Sequence, residues 1–96
     1  MSGVGMTIEE FMAAGAEMFD GALLALWWDG NGSWEKAHEI AQDVAGSDGA
    51  WVHAYLHRKE GDEGNASYWY WRAGRTVAHG DLKAEWEAIV KEMLDR

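Results

Sequence analysis

A chain of 96 residues with 17 acidic against 8 basic side chains, a net charge of −9 and no Cys is expected to form one domain with restricted chemistry. The shortage of Lys and Arg argues against direct binding to nucleic-acid backbones or anionic membrane surfaces, where cations must neutralise phosphate. Without Cys there are no disulfides, thiol nucleophiles or thiolate zinc sites. Seven Trp and 48% hydrophobic residues supply a core that needs no metal, so no cofactor is expected for folding.

The start, MSGVGMTIEE, has neither the basic nor the apolar region of a signal peptide, and the longest apolar run, Ala22 to Trp28, is too short to cross a bilayer. The expected location is cytoplasmic. Residues 1–6 read as a flexible lead-in to a single helical domain over 7–96. Thr7 and Glu10 form a capping box, and Ile8, Phe11, Met12, Gly15, Met18 and Phe19 follow at helical spacing. That pattern predicts one amphipathic helix reaching Phe19. Asp20-Gly21 then opens a helix whose Leu23, Leu24, Leu26, Trp27 and Trp28 are apolar nearly all round, which places it at the centre.

After the Gly30-Asn31-Gly32 turn, Ser33 caps a third helix carrying Trp34, Ala37, Ala41 and Val44. Asp48 is expected to cap a fourth helix ending at Glu60. A fifth runs over 63–73 and stops at Gly74, and Asp81 caps the last, over about 81–95. No stretch alternates with period two. The fold class is therefore all-α, with about six helices.

Sliding the chain by 29 positions superposes Ala25 on Ala54, Trp28 on His57, Gly32 on Gly61, Ala37 on Ala66 and Val44 on Ala73. Residues 21–46 and 48–74 thus read as two copies of one αα-hairpin, flanked by an amphipathic helix at each end. Ala54, His57, Gly61-Asp62, Ala66, Tyr70 and Ala73 resemble the pattern of a tetratricopeptide repeat, as do Leu24, Ala25, Trp28, Gly32, Trp34 and Ala37. The period is shorter than that repeat's, and its closing Pro is missing. Trp34 to Gln42, and Trp51 to Asp62 with Asn65-Ala66 and Tyr68-Trp69-Tyr70, are also similar to a family of small bacterial proteins in which Arg is more usual where Trp71 stands here. That resemblance implies the fold and no reaction, substrate or cofactor.

Two sites follow as expectations. The tetratricopeptide resemblance implies a concave face lined by Trp51, Val52, Tyr55, Arg58 and Lys59, with Leu23, Leu26 and Asp29 from the first hairpin. It would hold a protein or peptide segment, including a second copy as a homodimer. Arg58 and Lys59 suit a partner's carboxylate, or else pair with Glu60, Asp62 or Glu63. The leading expectation is accordingly a non-catalytic interaction module, with Tyr68 and Trp71 facing solvent, a partner or the last helix.

The alternative rests on His53 and His57, one helical turn apart, a spacing transition metals accept. His38, Glu60 and Asp62 are the candidate further ligands. The same histidines also suit hydrogen-bonded packing, since they share a stripe with Ala50 and Ala54. A hydrolase built from His57, Arg58, Glu60 and Asp62 lacks any evident nucleophile or pocket. An acidic nucleic-acid mimic is the third possibility raised by the charge.

Overall fold

A computed structural model describes residues 6–96, and every regular element among them is helical. The expected lead-in lies outside the described residues except for Met6. Helix α1 spans Ile8–Ala13 and opens on the expected capping box: Thr7 Oγ1 accepts from the Glu10 amide at 3.0 Å, and the Thr7 amide donates to Glu10 Oε1 at 2.9 Å. It does not reach Phe19. The backbone turns extended at Ala14 and Gly15 and forms only a 3₁₀ turn at Ala16–Met18. The released Ala14 carbonyl accepts the indole N–H of Trp27 at 3.0 Å, so a tertiary bond takes the place of helical continuation. Phe19 folds back on Phe11, with ring centroids 4.7 Å apart, and Met18 is left exposed.

The remaining helices are α2 (Gly21–Gly30), α3 (Trp34–Gln42), α4 (Gly46–Glu60), α5 (Glu63–Ala73) and α6 (Leu82–Leu94). The most extensive helix contacts are those of α4 with α5 and of α2 with α3. Both pairs turn on a glycine in the same left-handed conformation, Gly32 at φ +94° and Gly61 at φ +93°, where a side chain would be strained. The alanines matched by the 29-residue shift, Ala25 with Ala54 and Ala37 with Ala66, are all buried where the helices meet. Small side chains there let the backbones approach.

Helix α2 packs against α1, α3, α4 and α6 and so holds the central place expected of it. Its buried positions are Ala22, Ala25, Leu26 and Asp29; Leu23, Leu24, Trp27 and Trp28 are only half-buried. Helix α4 starts two residues before the expected cap at Asp48. Gly49 explains this: a Cβ there would lie 2.0 Å from the Val44 carbonyl oxygen, so only glycine lets the first turn of α4 press on the chain leaving α3. Asp81 caps α6 through the Ala84 amide at 3.0 Å, as expected. Helix α6 buries Trp86, Ile89, Val90 and Met93 and lies against α2 and α4, with Trp86 Nε1 donating to the Leu26 carbonyl at 3.0 Å.

Candidate metal centre

Most residues expected to line a peptide groove are inside the protein. Leu26, Val52, Trp51 and Tyr55 are buried, and Asp29 retains 4% of its exposure. Tyr55 donates its hydroxyl to Asp29 Oδ2 at 2.9 Å, and Lys59 pairs with Asp29 Oδ1 at 2.9 Å. Arg58 reaches α6 instead of a partner, pairing with Glu85 Oε1 at 2.7 Å and donating to the Gly80 carbonyl. Neither cation uses the neighbouring acids Glu60, Asp62 or Glu63.

The expectation of an accessible face at Trp51 and Tyr55 is thus corrected, because α6 and the loop before it occupy its mouth. Arg75 stacks over Trp51, its guanidinium carbon 3.3 Å from the ring centre. A hollow of about 1060 Å³ does reach Asp29, Tyr55 and Lys59, walled by α1 and α6. Trp51, Arg58 and Leu26 do not line it, and its charges are mixed, Glu9, Asp29, Glu87 and Asp95 against Lys59, Lys83 and Lys91. Burial pushes the Tyr55 phenol up from its ordinary range, and the Asp29 charge adds to this; burial and Glu85 do the same at Tyr70. Both phenols therefore stay protonated as donors.

On the opposite side of α4 the three histidines do converge. His53 and His57 project from α4, and His38 from α3 meets them, with His38 Nε2 and His53 Nε2 3.1 Å apart. One donor nitrogen from each ring lies within 4.8 Å of the other two. A tetrahedral ion with metal–nitrogen bonds of about 2.0–2.1 Å places its ligand nitrogens roughly 3.3–3.4 Å apart. His53 and His57 are stacked, with centroids 4.8 Å apart and planes 17° from parallel, so one of these rings has to turn for both to aim a nitrogen at a shared ion. Without a metal, the 3.1 Å contact is an N–H···N hydrogen bond, which a bound ion displaces.

The surroundings fix the rings. Trp34 stacks on His38 with centroids 4.8 Å apart and is itself anchored by its Nε1 donating to the Leu56 carbonyl at 2.8 Å. Trp69 stacks on His53 at 4.1 Å. Glu60 Oε2 lies 2.9 Å from His57 Nδ1, and a carboxylate there selects the tautomer that leaves Nε2 as the ligand atom. Burial holds His53 down at about 4, with His38 and His57 adding repulsion. Burial, then His57, also lowers His38. Both rings are consequently neutral at pH 7, the state a metal requires.

Asp62 is not in the three-histidine group, but with His57 and Glu60 it forms a second, more exposed group whose ligand atoms lie within 4.8 Å of one another. It caps α5, accepting from the Asn65 amide at 3.2 Å and from Asn65 Nδ2 at 2.7 Å, bonds that hold its carboxyl below the usual range. The four-residue hydrolase constellation is not assembled, since Arg58 is bound to Glu85 and Gly80. Sequence reasoning named all three histidines but missed their aromatic walls. The Trp34–His38 spacing of four carried that signal; nothing in the sequence connected Trp69 with His53.

Fold and site together define a small all-helical protein with a buried-edge cluster of three imidazoles. No family model matches this chain, and no curated protein or solved structure does.

Proposed function

We propose that this protein binds one borderline divalent transition-metal ion, of the class of zinc, cobalt(II), nickel or copper(II), through His38, His53 and His57. The observation that carries this reading is the approach of three imidazoles, one ring nitrogen from each within 4.8 Å of the others, at the junction of α3 and α4. Imidazole is a ligand of choice for these metals, and the chain offers no Cys to favour softer ones. Glu60 supplies the outer-sphere partner that such ligands ordinarily have. Chelator-treated protein titrated with zinc is expected to take up one equivalent, and His53→Ala and His38→Gln to abolish uptake while circular dichroism shows the helices intact. Uptake unchanged in both folded variants removes the reading. Copper(II) is expected to quench tryptophan emission through Trp34 and Trp69.

A second reading, contact between two copies of the chain, has its support on α5 and not in the expected groove. Trp71 is 74% exposed and Tyr68 47% exposed, beside Arg72, whose guanidinium lies over the Tyr68 and Trp69 rings. Large exposed aromatics next to Arg are enriched at protein interfaces. Sedimentation is expected to show self-association weakened by Trp71→Ser; a monomer at every concentration removes this second reading.

A further inference from the structure

We infer that the metal held by His38, His53 and His57 keeps a fourth, exchangeable coordination position, open to a small monodentate oxygen or nitrogen donor from solution such as water, azide or acetate. This rests on the metal-binding reading and specifies what the site does with its ion. The group formed by His38, His53 and His57 contains no carboxylate; Glu60 and Asp62 gather with His57 in a second group that includes neither His38 nor His53. The nearest candidates are already committed. Glu60 is engaged at His57 Nδ1, on the side of the ring away from the Nε2 ligand atom. Asp62 is engaged at the head of α5 by two bonds from Asn65.

Among the described residues the remaining imidazole is outside the group. His79 is exposed in the loop between α5 and α6. An ion of this class with three protein nitrogens completes its sphere from solvent, which is the arrangement of reactive and not of purely structural sites. Solvent has a way in: His38 and His57 are both half-buried, and the His57 side chain keeps 12% of its exposure, whereas His53 is closed off beneath Trp69. Water held by such an ion would be a stronger acid than bulk water.

The test uses the full chain loaded with cobalt(II), whose visible bands report coordination number and ligand type. One equivalent of cobalt is expected to bind with the intensity of a four-coordinate site. Azide is then expected to shift those bands saturably, with acetate competing. Bands unmoved by azide at any concentration, with cobalt still bound, overturn this inference and leave the metal-binding reading standing. Failure to bind cobalt at all overturns both. Half an equivalent per chain, with two copies pooled around one ion, also overturns it, because the fourth ligand is then protein.

Discussion

Buried imidazoles make this protein's stability depend on pH in a direction set by their neutrality. His53 titrates at about 4 in the fold against an ordinary value near 6.5, and His38 is lowered in the same sense. Between those values the unfolded chain binds more protons than the native one, so stability falls as pH drops from about 6.5 to about 4 and levels off beyond either end. For chelator-treated protein the urea midpoint is expected to decline across that window, by on the order of 2–3 kcal/mol in unfolding free energy from His53. His53→Gln should flatten most of the slope; an unchanged slope would mean that His53 is not shielded from water. Two glycines give an opposed pair of expectations. Gly49→Ala drives a Cβ into the Val44 carbonyl and should destabilise by roughly 1–3 kcal/mol. Gly64→Ala, within α5 and with nothing within 4 Å of the added carbon, should stabilise by about 0.5–1 kcal/mol. Thermal melts of the two variants should move in opposite directions.

Between elements, two buried polar clusters fasten the layers. Asp29 of α2 accepts from Tyr55 and Lys59 of α4, and Glu85 of α6 accepts from Arg58 of α4 and Tyr70 of α5. Removing one partner strands the others, which costs more than the bond was worth. Glu85→Ala, leaving Arg58 and Tyr70 unpaired, should cost about 3–5 kcal/mol in chemical denaturation. Tyr55→Phe, with Lys59 still on Asp29, should cost the smaller amount of about 1.5–3 kcal/mol. Equal losses would show that the two clusters are not differently shielded. The turns at Gly32, Gly61 and Gly74 and the caps at Thr7, Ser33 and Asp81 were legible in the sequence, because each is a local bargain between a side chain and the backbone next to it, whereas Asp62, read as a candidate ligand, caps α5. The break at Ala14 was not. It depends on Trp27, 13 residues away, and a hydrophobic period carries no notice of a distant indole donor.

At the scale of the whole molecule, legibility divides along α4. The histidine face could be read because His53 and His57 share one helix and His38 lies in the segment just before it. The Trp51, Tyr55 and Arg58 face was misplaced because its occupant, α6, arrives from the far end of the chain, beyond any repeat pattern. Helix α6 is thereby part of the core and not a detachable cover: it contributes Trp86, Ile89, Val90 and Met93 to the same buried cluster as Leu26, Trp51 and Tyr55. Deletion of residues 82–96 is expected to abolish cooperative unfolding instead of opening a binding groove, as followed by urea titration and near-ultraviolet circular dichroism. A truncated chain that still melts sharply would contradict this.

The two-sided use of α4 has a consequence for any saturation scan of residues 51–59. Losses should sort by which side of one cylinder a position faces, with two separate phenotypes. Changes at 52, 55 and 56 should deplete soluble protein in the cell, whereas, if the proposed metal binding holds, many at 53 and 57 should yield well-expressed material that takes up no ion. A single helix would thus show fitness defects alternating between abundance and occupancy, separable by nothing more than counting molecules and counting ions.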